Sequence, residues 1–168
     1  LDNFDRKFKP EYYSRAEELG MTVHEIVTLA SIVEKEAQAA NERKTIAGVF
    51  YNRLRGRYGA PRRLESCATI QYVFLNRLEN VPEETRNRIQ KGIIYVEDTK
   101  VDDEYNTYKY EKLPPGPISN PGLACLEAAL YPEDTKYIYF VARGDGTNDF
   151  SLTNEEHVSK MRKYGLLY

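Results

Sequence analysis

The sequence predicts a mainly helical α+β fold with a small β-sheet. Apolar residues recur at helical spacing through most of the chain, and each such run opens on a capping residue. Only near the C-terminus do two short apolar runs flank a glycine-containing loop, the mark of a β-hairpin. The length, 168 residues, is that of one domain able to bury a core without disulfide or metal staples.

The elements follow in order. A short helix is expected from Pro10 to Leu19, ended by Gly20. Thr22 followed three residues later by Glu25 forms a capping box, and the helix it opens should run to about Ala40, with Ile26, Leu29, Ala30, Val33 and Ala37 as its core-facing stripe. Asn41 is placed to cap the next helix, which carries Ile46, Val49, Phe50 and Leu54 before the turn region Gly56 to Pro61. Ser66 opens another, with Ile70, Val73 and Phe74 inward, and Pro82 is read as the first-turn proline of a charged helix ending near Gly92. Ile93 to Val96 reads as a short strand. Tyr105 to Gly122 holds four prolines and two glycines and must be a loop of fixed shape. Asn120 and Pro121 then start a helix over Leu123 to Leu130. Tyr137 to Ala142 and Asn148 to Leu152 form the hairpin, and Thr153 with Glu156 begins a C-terminal helix.

Several function classes are excluded at this level. With 24 Lys and Arg against 26 Asp and Glu the formal net charge is -2, which gives no electrostatic reason to bind nucleic acid. No run approaches the ~20 apolar residues of a membrane helix. The chain begins at Leu1 with neither an initiator Met nor a charged-then-apolar leader, so it reads as a single domain that is a piece of a longer precursor or has been trimmed. Cys67 and Cys125 lack metal-ribbon spacing and are expected to be free thiols, and His24 and His157 have no ligand-type neighbours, so no metal site is expected. Gly144-Asp145-Gly146 lies in a hairpin turn, where it cannot serve as a nucleotide loop, and no serine sits in a nucleophile elbow. The 14 Tyr, with no Trp, supply flat rings with a polar edge that suit half-exposed core or a sugar-stacking surface.

Carboxylate chemistry remains. In Ala30-Ser31-Ile32-Val33-Glu34-Lys35-Glu36-Ala37 two acids border the apolar stripe, roughly 160° apart around the helix, while Lys35 points away. Glu36 has Leu29 and Ile32 as neighbours and Glu34 has Val27 and Ala30, so helical geometry does not choose between them.

The segment Ala30-Ser31-Ile32-Val33-Glu34-Lys35-Glu36, followed by Val49-Phe50-Tyr51-Asn52-Arg53-Leu54, resembles the YceG-like family. Leu64 to Tyr72, Tyr105-Asn106-Thr107-Tyr108, Leu113-Pro114-Pro115-Gly116-Pro117-Ile118, Tyr137 to Ala142 and the final Glu156-His157 agree with that family in the same order, so the likeness runs from about Met21 to near the end. Cys67 departs from it, standing where many members have Asp, and so does Asn148, standing where many have His.

The resemblance implies a lysozyme-like helical core, Glu36 as the catalytic residue, and endolytic lytic transglycosylase activity on the glycan strands of peptidoglycan, ending in a 1,6-anhydromuramic product. It also implies an N-terminal transmembrane anchor upstream of this chain that holds the domain at the outer face of the bacterial cytoplasmic membrane, with cell-wall synthesis enzymes as candidate partners. A glycosidic oxygen leaves only when protonated, which asks for a carboxylic acid raised towards neutrality. Because the 6-hydroxyl of the muramic ring is an intramolecular nucleophile, one glutamate can serve as acid and base, and no cofactor is called for. Tyr105, Asn106, Thr107 and Tyr108 offer amide, hydroxyl and ring groups for sugar binding, with Asn52 and Tyr72 as further cleft candidates. Two readings compete: a hydrolytic muramidase using Glu65 or another acid as the second carboxylate, and a non-catalytic glycan-binding module. The pyridoxal-dependent lyase label sometimes given to this family finds no glycine-rich phosphate cup here.

Overall fold

The computed structural model describes residues 7–166. Its helices are α1 (Pro10–Glu18), α2 (Val23–Glu36), α3 (Arg43–Leu54), α4 (Cys67–Asn76), α5 (Glu83–Gln90), α6 (Leu123–Leu130) and α7 (Asn154–Lys163), and β1 (Tyr139–Ala142) pairs antiparallel with β2 (Asn148–Ser151). This is the expected mainly helical α+β class.

Helix α2 is the axis of the core. Thr22 Oγ1 accepts the Glu25 N–H while the Glu25 carboxylate accepts the Thr22 N–H, the complete capping box. Ile26, Leu29, Ala30, Ile32 and Val33 are sealed from solvent, and so are Thr28 and Ser31. The expected stripe has therefore widened to most of the circumference, because α6, α3 and α4 all pack on α2. The buried hydroxyls are satisfied locally: Thr28 Oγ1 donates to His24 O, and Ser31 Oγ donates to Thr28 O while accepting the Ile118 N–H of the proline-rich loop.

Helix α3 is buried without a break from Ile46 to Arg53, since α2 and α6 lie on one side and the chain running into β1 on the other. Gly48 makes that second contact possible. A Cβ there would come within 2.4 Å of Glu133 O, so the extended segment lies directly against the helix backbone. Asn52 Nδ2 donates to Thr135 O and Tyr137 O at 2.8 and 2.9 Å, holding the same segment in place.

Several expectations are corrected. Helix α2 stops at Glu36 instead of about Ala40: Ala37 is extended (φ -92°, ψ 98°), although no Gly or Pro marks a stop, because contacts made by Glu36 and the burial of Ala37 override helix propensity. Asn41 does not cap α3; it lies in a 3-10 turn (Ala40–Glu42), and Glu42 holds the N-cap position with its side chain committed elsewhere. Ile93 to Val96 is irregular, with Val96 71% exposed, because no second strand is available to pair with it among the described residues. Phe74 is half-buried where an inward residue was expected. Pro82 takes the N-cap of α5, one place earlier than expected.

Candidate active site

Glu36 is the last residue of α2, and its half-buried side chain lines two adjoining hollows. The larger, about 620 Å³, lies between α2, α4, β1 and α7, with Arg53, Glu65, Cys67, Tyr108, Tyr139 and His157 among its lining. The smaller, about 140 Å³, is closed by Gln38 and the β1–β2 loop. Glu36, Gln38, Ala142 and Asn148 belong to both.

The Glu36 carboxyl receives the Ser66 hydroxyl at 2.5 Å and the Ala68 N–H at 3.3 Å. Burial pushes its pKa above the ordinary carboxylate value, and these two hydrogen bonds oppose that rise without cancelling it. A proton held to higher pH by an apolar niche is what a general acid needs.

Glu34, one helical edge away, has a different duty. It is exposed, and its carboxylate accepts the N–H of Gly122, the N-cap of α6, at 2.9 Å. That hydrogen bond, followed by one from Cys125, lowers its pKa, so Glu34 caps a neighbouring helix from outside.

Ser66 is positioned by a network in which the Tyr105-Asn106-Thr107-Tyr108 segment takes part. Thr107 Oγ1 accepts the Ser66 N–H and meets Thr69 Oγ1, while Thr107 O accepts the Glu65 N–H. Glu65 occupies a left-handed conformation (φ 54°) that non-glycine residues rarely adopt, and its carboxylate is tied to the buried Arg53 guanidinium. Arg53 also donates to Arg63 O and Ile138 O and lies over the Tyr139 ring, on which His157 stacks at 4.9 Å. Burial lowers the His157 pKa, with the Arg53 charge acting in the same direction.

The residues expected to bind sugar separate by position. Tyr108 lines the larger hollow beside Glu36, its hydroxyl 3.1 Å from Cys67 Sγ. Thr107 and Asn106 are buried behind it, and the Asn106 amide is spent on Thr99 O and Val101 O. Tyr72 and Tyr105 pack on each other at 4.9 Å outside the lining of either hollow, and Asn52 holds the approach to β1. Cys67 and Cys125 are free thiols, as expected. Among the described residues no group of three or more His, Cys, Asp or Glu could hold a metal ion.

Arg53, Asn148, His157 and the hydroxyl of Ser66 were not marked as site groups by the sequence. Ser66 left only its place at a helix start as a trace: it holds the N-cap of α4, but its side chain makes no cap hydrogen bond and donates to Glu36 instead.

The helical core presents one elevated carboxyl at the meeting of two hollows, and among the described residues the one other acid in their lining, Glu65, is held by arginine. The chain belongs to the YceG-like family, whose model matches residues 1–163. It is 35% identical over 153 residues to an endolytic murein transglycosylase of Bacillus subtilis, covering 91% of this chain and 38% of that protein. It is 34% identical over 162 residues to the endolytic murein transglycosylase of Streptococcus pneumoniae strain D39, covering 94% of this chain and 26% of that protein. The crystal structure of a yceG-like protein from Listeria monocytogenes superposes with a TM-score of 0.71 at 38% identity, over 94% of this chain and 45% of the other. The chain thus spans less than half the length of each of these relatives.

Proposed function

We propose that this chain carries the catalytic site of an endolytic peptidoglycan lytic transglycosylase, with Glu36 as both acid and base. The observation that carries the reading is the Glu36 carboxyl, raised by burial and open to two hollows at once. Protonated Glu36 gives its proton to the glycosidic oxygen as the bond to the muramyl C1 breaks. The resulting carboxylate takes the proton of the ring's own 6-hydroxyl as that oxygen bonds to C1, closing the 1,6-anhydro ring. No water is consumed, and Glu36 ends protonated as it began.

A hydrolase would need a second carboxylate to attack C1 or activate water. Among the described residues Glu65 is the one other acid lining the larger hollow, and its engagement by Arg53 favours the one-carboxylate route. Of the substrate-binding candidates Asn52, Tyr72, Tyr105, Asn106, Thr107 and Tyr108, the lining position of Tyr108 supports direct sugar contact; Thr107 and Asn106 support the site from behind.

The test is mass spectrometry of purified glycan strands after incubation. Wild type should release anhydro-ended fragments, Glu36→Gln should slow release by about 10²-fold to 10⁴-fold, the effect of losing a general acid, and Glu34→Gln should remain active. Fragments with reducing ends would establish a hydrolytic muramidase, and binding without cleavage a glycan-binding module. We further propose that an anchor outside this chain places it at the outer face of the cytoplasmic membrane, a reading supported by its likeness to murein transglycosylases, since murein lies on that side. Recovery of the full-length protein in the soluble cell fraction would refute that placement.

A further inference from the structure

We propose that the smaller hollow is an acetamido pocket, in which Asn148 Oδ1 accepts the acetamido N–H of the N-acetylated sugar nearest the bond cleaved at Glu36; this deepens the glycan-cleaving reading and rests on it. Asn148 starts β2 and is only 8% exposed, yet it lines both hollows together with Glu36. Its backbone N–H and its amide nitrogen both face one partner. Its backbone N–H lies 3.1 Å from each oxygen of the Glu42 carboxylate, and Nδ2 donates to Glu42 Oε2 at 2.8 Å. A carboxylate only accepts, so this clamp fixes which end of the amide faces Glu42 and leaves Oδ1 as the free end. Oδ1 has no partner among the described residues, and it is not sealed away from solvent. An acceptor held this rigidly and left unpaired at the wall of a cavity is matched to a donor on a ligand.

The rest of the hollow fits the other two parts of an acetamido group. The exposed Gln38 side chain is unpaired among the described residues and supplies an amide N–H for the acetamido carbonyl. The exposed Ala142 methyl offers an apolar surface for the acetyl methyl. The Thr147 hydroxyl does not compete, because it and the Thr147 N–H already donate to Asp145. Gly146 keeps the hollow open: a Cβ there would stand 3.4 Å from Gln38 Oε1. The volume, about 140 Å³, accommodates a group of this size.

The test uses the full-length protein carrying Glu36→Gln, so that strands bind without turnover. Three ligands are compared by calorimetry: native N-acetylated strands, strands de-N-acetylated and re-acetylated as a chemical control, and strands re-acylated with adamantoyl groups, a rigid cage too bulky for the hollow. Native and re-acetylated strands should bind alike, and adamantoyl strands, whose amide cannot be drawn into the hollow, about tenfold more weakly, the loss of roughly one well-made hydrogen bond. Adding Asn148→Leu should remove that tenfold preference by weakening only the acetylated strands. Asn148→His should restore it, because an imidazole giving one N–H to Glu42 presents its other nitrogen as an acceptor. Equal binding of acetyl and adamantoyl strands overturns the pocket, and this arm needs no variant at Asn148. An unchanged preference in a folded Asn148→Leu protein overturns the role of Oδ1. If wild type releases no fragments while the acyl preference is present, cleavage fails and the pocket stands; if fragments appear without the preference, the pocket alone fails.

Discussion

Two glutamates separated by one lysine divide the labour at the end of α2, and their surroundings push them in opposite directions. The helical-wheel argument left the choice between them open, because both edges of a stripe look alike until the partners are known. Those partners come from distant sequence: Ser66 and Ala68 for Glu36, Gly122 for Glu34. The elevated pKa also has a thermodynamic consequence. A carboxyl whose folded pKa lies above its unfolded value contributes stability that is complete below the unfolded pKa and is lost as pH rises through the folded one. At neutral pH wild type therefore carries a cost that Glu36→Gln lacks. The variant should melt higher at pH 7, by about 2–4 °C for each kcal/mol relieved, and the gap should close as the pH falls below about 4, the ordinary carboxylate range. Equal melting temperatures at pH 7 would show that burial does not raise Glu36.

At the scale of elements, capping chemistry was the most readable layer. Thr22 with Glu25 and the Thr153 hydroxyl with the Glu156 N–H stand where the sequence put them, since a cap is satisfied within three residues. Features fixed by distant contacts were not readable: the early stop of α2, the unpaired 93–96 segment and the gripped Ser66 each depend on a partner at least 30 residues away or on its absence. The seating of α3 gives a test in which two effects oppose each other. Gly48→Ala gains about 1 kcal/mol of helix propensity, but its methyl meets the Glu133 carbonyl and the Thr135 side chain. Overpacking against backbone costs about 1–3 kcal/mol. The clash should win, and thermal melting should show a fall of a few degrees. A rise would mean that the 133–135 segment yields freely and does not hold β1 in place.

Across the whole molecule, burial is uneven. Helices α2, α3 and α6 contain most of the fully sealed side chains and α4 adds Thr69, Ile70 and Val73, whereas among the described residues α7 has none and the hairpin has Ser151. Opening free energy follows buried contact, so amide exchange should be slowest in α2, α3 and α6 and much faster in α7 and across 93–100. Uniform protection by mass-spectrometric exchange would contradict this gradient. The sequence anticipated the helical body and the hairpin separately, and its family resemblance named Glu36, but the joint between body and hairpin lies in side-chain clamps such as Glu42 with Asn148 and Arg53 with Ile138 O, which leave no periodic signal.

The early end of α2 reaches beyond the acid itself. Since the helix is stopped by the contacts of Glu36 and the burial of Ala37, residues 38–41 need not encode the stop. Gln38, Ala40 and Asn41 are exposed, and Gln38 borders both hollows. The exposed Ala40 and Asn41 at the rim of the cleft thus carry no part of the stop, and substitutions there should leave the Glu36 carboxyl where Ser66 and Ala68 hold it.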